Sequence, residues 1–207
     1  NRKLIFDNLN LEIPKNKNIC IIGKTGEGKS TFADLLMGLL DPDSGEILAD
    51  NENINKFLPS WKTKIGYIPQ SIYLNDDTIE KNIAFGLNNS EIDKERLSKS
   101  IDLSEMKEFV NNLPDKTKTI VGEKGVNISG GQIQRIGIAR AIYSQPDLLI
   151  LDEATSSLDS ETEKKIISQI NRLKEKYTVI TITHKKEVAD TCDEVYEVKN
   201  KSLIKIR

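Results

Sequence analysis

A glycine-rich stretch with a lysine and a serine is the part of this sequence best suited to chemistry. Residues 23–31 are GKTGEGKST and fit the Gly-x4-Gly-Lys-Ser/Thr pattern called Walker A. Glycines let a backbone approach an anion closely, and the N–H groups of such a loop and of the following helix point at a bound phosphate. We therefore expect Lys29 to contact the β- and γ-phosphates of a nucleotide, and the Ser30 hydroxyl to bind Mg²⁺.

The elements on either side of this loop agree with a phosphate site. The apolar run Ile19–Ile22 enters the loop and is typical of a buried strand. The residues after the loop repeat their apolar side chains at helical spacing, which predicts a helix ending near Leu40. A glycine-rich turn without function is the less favoured alternative, because strand, loop and helix follow each other in the order that a phosphate requires.

Two carboxylates follow a second apolar run. Leu148–Leu151 is typical of a central parallel strand, and Asp152 and Glu153 come directly after it. Because the strands of an open α/β sheet deliver their carboxyl-terminal residues to the ligand crevice, we expect Asp152 to hold Mg²⁺ and Glu153 to accept a proton from water. An acidic pair alone often marks only the start of a loop; beside the phosphate loop the catalytic interpretation is favoured.

Two further polar residues each follow a predicted strand. Gln70 comes just after Ile65–Ile68, and His184 follows the β-branched run that begins at Thr178. Either residue alone is more often a solvated surface residue. In a phosphate-loop fold we expect Gln70 to orient water beside Mg²⁺, and His184 to contact the γ-phosphate.

Strand-like segments occupy both ends of the chain, and helical segments occupy its middle. Two weakly alternating segments, Lys3–Phe6 and Leu9–Ile13, predict strands in an N-terminal antiparallel β region. Residues 71–144 have a helical texture, whereas residues 1–70 and 145–207 alternate strands with helices. This order predicts an α/β fold with a parallel-sheet core and an inserted α-helical subdomain, within a single domain of 207 residues.

Two capping boxes predict where helices begin. Ser129 stands three residues before Gln132, and this pair predicts a helix to about Tyr143. Ser160 and Glu163 have the same spacing and predict a second helix.

Composition narrows the class of protein. The 207 residues are 37% hydrophobic and 30% charged, which suits a globular fold. No apolar run approaches the roughly 18–20 residues that span a bilayer. Cys20 and Cys192 are expected to be core thiols rather than metal ligands or a disulfide.

Together these motifs resemble the nucleotide-binding domain of an ABC transporter over essentially the whole chain. The most specific is the signature Ser129–Gln132, which separates this family from other P-loop ATPases, and residues 156–159 are similar to its D-loop. The resemblance implies a P-loop NTPase (RecA-like) core, with ATP and Mg²⁺ as cofactors of ATP hydrolysis coupled to transport. It assigns catalysis to Glu153, His184, Gln70 and Lys29, and Mg²⁺ binding to Ser30, Gln70 and Asp152. It assigns ATP binding to Gly23, Lys24, Thr25, Gly26, Glu27, Gly28, Lys29, Ser30, Thr31, Ser129, Gly130, Gly131, Gln132 and Asp159.

The resemblance also implies partners. In this family two domains pair head to tail, and each ATP lies between the Walker A segment of one and the signature of the other. Thr78–Gly86 and Val121–Gly125 are similar to exporter segments, and Ile68–Thr78 is similar to bacterial flippases for lipid-linked oligosaccharides. We therefore expect a homodimer, a transmembrane domain absent from this chain, and a place at the cytoplasmic face of the inner membrane. A net charge of −2 argues against nucleic acid as a partner.

Several residues depart from the family pattern. Ile128 replaces the usual leucine before the signature, and Lys185 stands where exporters often have arginine. Glu27 puts a carboxylate inside the phosphate loop, and we expect it to face away from the phosphates or to pair with a cation. The aromatic residue that stacks on adenine in this family would lie upstream of Asn1, and we expect the chain to be a piece of a longer protein.

Three alternatives differ in class. A soluble ABC ATPase of DNA repair or translation is one, although the spacing from Ser30 to Ser129 is too short for the long-armed repair type. A P-loop kinase is another, but it would not need the signature Ser129–Gln132. A degenerate module that does not hydrolyse ATP is disfavoured because Glu153 and His184 are both present.

Overall fold

The computed structural model describes residues 4–123, 125–126, 128–155 and 158–207. Its strands are β1 (Asn18–Ile22), β2 (Leu48–Ala49), β3 (Glu52–Asn53), β4 (Ile65–Ile68), β5 (Asp77–Thr78), β6 (Ile120–Val121), β7 (Leu148–Asp152), β8 (Thr178–Thr183), β9 (Glu194–Lys199) and β10 (Ser202–Lys205). Its helices are α1 (Lys29–Leu36), α2 (Leu58–Thr63), α3 (Ile79–Ile83), α4 (Lys94–Leu103), α5 (Lys107–Asn112), α6 (Gly130–Tyr143), α7 (Ser160–Leu173) and α8 (Lys186–Ala189). Short 3₁₀ turns lie at Ile54–Lys56, Asn89–Glu91 and Lys116–Lys118. Within these ranges no helix combines the length and the apolar composition that crossing a bilayer requires.

Six of the strands form one sheet in the order β10-β9-β1-β8-β7-β4. Five of them run parallel, and β10 pairs antiparallel with β9 at one edge. The central strands are buried on both faces, as their apolar runs predict. Because β1, β8 and β7 are parallel neighbours, the segments that follow Ile22, Thr183 and Asp152 all start at the same edge of the sheet.

Helices cover both faces of this sheet. On one face, Phe32 of α1 joins a buried cluster that includes Ile150 of β7. On the other, Ile138 of α6 and Ile166 of α7 pack with Leu149, also of β7. Successive side chains of β7 thus alternate between the two layers, which is the period expected of a strand with a helix layer on each face.

A second buried cluster joins α3, α4 and α5 to α6. Ile79, Leu97 and Val110 belong to it, together with Ile136 of α6. Since α6 also contributes to the cluster on the sheet, this helix is the shared wall between the sheet and the smaller helices. The division of the chain at residues 71–144 into a separate helical subdomain stays a prediction.

The N-terminal segment differs from the predicted strands. Residues 4–14 contain no assigned strand, so the prediction of strands at Lys3–Phe6 and Leu9–Ile13 is wrong for the part that the structure describes. Apolar residues of this segment, such as Phe6, pack instead as partly buried side chains against the cluster around α1. The antiparallel pairs that are assigned lie at β2–β3, β5–β6 and β9–β10.

The first helix is shorter than predicted. It ends at Leu36 rather than near Leu40, because Gly38 adopts a left-handed conformation with φ of 63°. The Gly38 N–H bonds to the Leu35 carbonyl, and the Leu39 N–H bonds to the carbonyl of Asp34. This pair of reversed bonds is a Schellman cap, which glycine permits without steric cost.

Candidate active site

The phosphate loop leads into α1 through two glycines in left-handed conformations. Gly26 and Gly28 have φ of 85° and 103°, which side chains other than hydrogen rarely tolerate. At Gly28 a Cβ would also lie 2.6 Å from Cγ2 of Ile5. Gly28 is the N-cap of α1, and no side chain caps the first turn of that helix. The amides of this turn are therefore available to an anion.

Lys29 is buried even though it is charged, with only 7% of its surface exposed. Its ammonium donates to the carbonyl oxygen of Gly23 at 2.8 Å and to that of Lys24 at 3.1 Å. Two backbone carbonyls thus hold the cation over the loop. Because an ammonium has three N–H groups, one donor remains for a phosphate oxygen.

Glu27 uses its carboxylate to brace the same loop. Its Oε2 accepts a hydrogen bond of 2.7 Å from the backbone N–H of Lys24, and its own N–H donates to the Lys24 carbonyl at 3.3 Å. The sequence left open whether this carboxylate faces away from the phosphates or pairs with a cation, and the partner that the structure gives it is a backbone amide. The contact closes the loop on itself and keeps a negative charge beside the phosphate-binding amides.

Asp152 ends β7 and is held by a tyrosine from the neighbouring strand. Tyr67 Oη donates to Asp152 Oδ2 at 3.2 Å. Burial raises the pKa of the Asp152 carboxyl, and the charge of Glu153 adds to the rise, whereas the Tyr67 hydrogen bond and the ammonium of Lys29 lower it. Burial, followed by the charge of Asp152, raises the pKa of Tyr67 to about 12. The phenol therefore keeps its proton and acts as the donor.

Glu153 lies beside the only histidine of the chain. Glu153 Oε1 and His184 Nδ1 are 3.2 Å apart. The Glu153 backbone has φ of 49°, and its N–H bonds to the carbonyl of Ile182 at 2.8 Å. A left-handed glutamate at the end of a buried strand is strained, and such strain is common at functional sites. The structure thus joins two residues that the sequence separates by 31 positions.

A cavity of about 720 Å³ collects most of the predicted site, and its size suits a nucleotide. Predicted residues that line it are Thr25, Gly26, Glu27, Gly28, Lys29, Ser30, Thr31, Gln70, Asp152 and Glu153. Five lining residues were not predicted, namely Leu4, Ile5, Val198, Asn200 and Lys201. The main-chain bond of 2.8 Å from Asp7 N to Lys201 O ties these two distant segments together. No local motif could have indicated them.

The polar groups of this cavity fit both implied cofactors. Ser30, Gln70 and Asp152 line the cavity and offer a hydroxyl, an amide and a carboxylate. These are hard oxygen donors of the kind that Mg²⁺ prefers. The loop amides and Lys29 at the start of α1 are the donors that a triphosphate requires.

The signature Ser129–Gln132 is not among the described residues that line the cavity. Ser129 is the N-cap of α6 and its Oγ accepts from Gln132 N at 3.3 Å, while Gln132 Oε1 accepts from Ser129 N at 2.8 Å. The predicted capping box at this site is confirmed.

Asp159 is the N-cap of α7 and is exposed. Its Oδ1 accepts from the amides of Glu161 and Thr162 at 3.1 and 3.0 Å, and the backbone bond from Thr162 lowers the pKa of its carboxyl. The predicted N-cap Ser160 is therefore wrong by one residue. Asp is as good a cap as Ser, and here it reaches two amides. Residues 156 and 157, the first two of the predicted D-loop, lie outside the described residues.

Lys185 has a structural role that the sequence did not indicate. Its ammonium bonds to the Thr155 carbonyl at 3.0 Å and to Glu163 Oε1 at 2.6 Å. Glu163 therefore pairs with Lys185 instead of completing a capping box. This contact joins the residue after His184 to the segment before Asp159 and to the first turns of α7.

Comparison with known proteins agrees with this geometry. A family model described as ABC transporter matches residues 6–156. The chain is 40% identical over 201 residues to ABC transporter B family member 6 of Dictyostelium discoideum, covering 97% of this chain and 29% of that protein. It is 36% identical over 194 residues to the ATP-dependent lipid A-core flippase of Escherichia coli (strain K12), covering 93% of this chain and 33% of that protein. A solved bacterial Atm1-family ABC exporter with ATP bound matches with a TM-score of 0.83 and 33% identity, over 97% of this chain and 35% of that chain.

This chain belongs to the ABC transporter family. The predicted α/β fold with a P-loop core is confirmed, and so is the resemblance to ABC exporters and flippases. The solved exporter has ATP bound, which is the nucleotide that the sequence predicts for this site. The chain spans only 29% to 35% of the length of these relatives.

Proposed function

We propose that this chain is the ATP-hydrolysing motor domain of an ABC exporter or flippase. The observation that carries the proposal is the cavity that gathers the phosphate loop with Gln70, Asp152 and Glu153, to which His184 is joined through Glu153. Phosphate-binding amides, oxygen ligands for a metal and a candidate base therefore meet in one site. Hydrolysis of a nucleoside triphosphate requires these three kinds of group.

The phosphate loop holds the nucleotide, and Asp152 and Gln70 join it in holding the metal. Lys29 keeps its ammonium over the loop through Gly23 and Lys24 and directs its remaining donor to the β- and γ-phosphates. Ser30 and Asp152, with Gln70, supply oxygen ligands for Mg²⁺. When bound there, Mg²⁺ would supply positive charge that offsets the negative charge developing on the phosphates during transfer.

Glu153 is the general base, and His184 positions it. The carboxylate of Glu153 accepts the proton of the attacking water, while the strand end and the bond to Ile182 O fix its backbone. Since an ionised carboxylate only accepts, the contact of 3.2 Å requires a proton on His184 Nδ1. A neutral His184 would then offer only an acceptor at Nε2, so a contact with the γ-phosphate requires the doubly protonated ring.

A second copy of the chain completes the site. Ser129 is exposed and Asp159 is exposed, and neither lines the cavity of its own chain. A head-to-tail pair would place the signature of one copy at the phosphate loop of the other. We therefore expect two MgATP molecules to close the dimer and hydrolysis to reopen it.

The relatives support a role in transport. One is named a lipid A-core flippase and another structure is an exporter, so we propose a transmembrane domain as partner and an amphiphilic, lipid-linked substrate. The motor would then work at the cytoplasmic face of the membrane. Exposed Tyr73 lies in the flippase-like segment and exposed Phe85 in an exporter-like segment, and both offer apolar contacts to such a partner.

Glu153→Gln tests the proposal because it keeps size and hydrogen bonding but removes the base. A positioned base contributes about 10²–10⁴-fold, so phosphate release should fall by that factor. ATP should still bind through Lys29 and Ser30, and the closed dimer should accumulate. At millimolar ATP with Mg²⁺, size-exclusion chromatography should show Glu153→Gln as a dimer, and as a monomer without nucleotide.

A matched control is Glu175→Gln, an exposed glutamate just beyond α7. It should keep the parental rate and remain monomeric at the same ATP concentration. Near-parental hydrolysis by Glu153→Gln would remove Glu153 as the base and leave His184 or the substrate itself as the proton acceptor.

A further inference from the structure

Tyr67 and Asp152 belong to adjacent parallel strands and face the same side of the sheet. In the register of β4 and β7, Tyr67 lies opposite Ile150, and Asp152 is two residues further along β7. Side chains two residues apart share a face, so Tyr67, Ile150 and Asp152 lie on one face. From this position the phenol extends towards the carboxyl edge and reaches Asp152 Oδ2 at 3.2 Å.

The hydroxyl, not the ring, makes this contact. Tyr67 is 39% exposed, so phenylalanine would fill its place on the sheet equally well. Asp152 is only partly exposed, and an ionised carboxylate in such a place needs donors. Through Oδ2, Tyr67 satisfies one oxygen and fixes the orientation of the carboxylate, which leaves Oδ1 for another partner.

We propose that Tyr67 is the positioning residue of the magnesium site, holding Asp152 so that Oδ1 is directed to the metal. This inference rests on the proposed function, which makes Asp152 a magnesium ligand. Hydrogen-bond partners of metal ligands commonly contribute about 10–100-fold to metal affinity. For a neutral donor at 3.2 Å on a partly exposed side chain, we expect the lower end, about 10-fold.

The test compares Tyr67→Phe with the parent by calorimetric titration of ATP, once in excess Mg²⁺ and once in EDTA. The quantity measured is the dissociation constant of ATP in EDTA divided by that in excess Mg²⁺. A larger ratio means that the site couples the metal more strongly to the nucleotide. In Tyr67→Phe the affinity for ATP in EDTA should stay within about twofold, while the ratio should fall about 10-fold. Tyr73→Phe is the matched control, because that side chain is 74% exposed, and its ratio should not change.

A second step asks whether Tyr67 acts through Asp152. In an Asp152→Ala background the substitution Tyr67→Phe should have no further effect on the ratio, since its partner is gone. A parental ratio in Tyr67→Phe would overturn the inference, and so would an equal loss of ATP affinity with and without Mg²⁺. A parent chain whose ATP affinity ignores Mg²⁺ would instead refute the proposed function.

Discussion

The phosphate-loop edge of the sheet and the amino end of α6 hold their functional groups in different ways. At the edge, Gly26, Gly28 and Glu153 sit in left-handed conformations with φ of 85°, 103° and 49°, and Lys29 is buried. All of them follow β1 or β7, the parallel strands on either side of β8. At the amino end of α6, Ser129 is exposed and held by a single capping box.

This difference suggests that the sheet edge binds the nucleotide and that the amino end of α6 takes part in association. We propose that the edge binds a triphosphate within one chain, because tertiary structure already positions its donors. Ser129 is exposed and held by a capping box at the helix end, which fits the proposal that the signature meets its ligand on a second copy of the chain. We therefore expect substitutions at the edge to alter binding to the monomer, and substitutions at the signature to alter only association.

The largest expected effect on nucleotide binding is that of Lys29→Ala. A hydrogen bond from a charged donor is worth about 1.5–3 kcal/mol, so losing the phosphate contact should weaken ATP binding by about 10²-fold. Isothermal titration of the monomer measures this loss. The control Lys62→Ala, on the exposed face of α2, should bind like the parent. If Lys29→Ala binds MgATP normally, the edge is not the nucleotide site.

Ser129→Arg should have a smaller effect, and it should weaken the dimer rather than ATP binding to the monomer. The added bulk should overpack the closed interface at a cost of about 1–3 kcal/mol and weaken the dimer about 10- to 100-fold. ATP binding to the monomer should stay within about twofold of the parent. Analytical ultracentrifugation of the Glu153→Gln background with MgATP measures the association.

Ser129→Ala separates two causes in that experiment. It removes the cap of α6, worth about 1 kcal/mol, without adding bulk. If Ser129→Ala weakens the dimer as much as Ser129→Arg does, helix fraying and not steric exclusion is responsible. If Ser129→Arg lowers ATP affinity of the monomer as much as Lys29→Ala does, the division between the two regions is wrong.

The helical side of the molecule should respond in stability rather than in binding. Asn82 is fully buried, and its Nδ2 donates to the carbonyls of Asn75, Asp77 and Thr78 while its Oδ1 accepts from Asn75 N. Asn82→Ala leaves several of these groups without a partner, which should cost about 3 kcal/mol and lower Tm by about 6–12 °C. ATP affinity should change less than about threefold. Asn111→Ala, at an exposed site on α5, should leave Tm within about 2 °C.

The same contrast explains what could be predicted from the sequence. The phosphate loop is contiguous, so its glycines, Lys29 and Ser30 could be assigned from their spacing alone. Asp152 and Glu153 were predictable because the residues just after a buried parallel strand lie at the carboxyl edge of its sheet. All of these residues depend on backbone geometry that the local sequence encodes.

Other parts of the site depend on register between distant segments. Tyr67 reaches Asp152 across 85 positions, and Lys201 lines the cavity through a turn that no motif marks. Sequence patterns also misplaced one cap, because Asp159 and Ser160 are equally good candidates and only Asp159 reaches two amides. In each case the missing information was which chain segments are neighbours.

The smallest expected effect concerns Glu27, whose carboxylate has two opposing effects on nucleotide binding. Its carboxylate stabilises the loop through Lys24 N but repels a triphosphate in the same cavity. At roughly 8 Å in a water-like dielectric this repulsion is about 0.5 kcal/mol, or about twofold in affinity.

Glu27→Gln keeps an acceptor for Lys24 N and removes the charge, so MgATP should bind about twofold more tightly at low ionic strength. Since salt screens exposed charges, the advantage should vanish near roughly 0.5 M NaCl. Glu27→Ala also loses the loop hydrogen bond and should bind more weakly than Glu27→Gln at every salt concentration. Titrations of the three proteins at low and high salt measure both effects, and a Glu27→Gln affinity equal to the parent at low salt would show that this carboxylate acts on loop geometry alone.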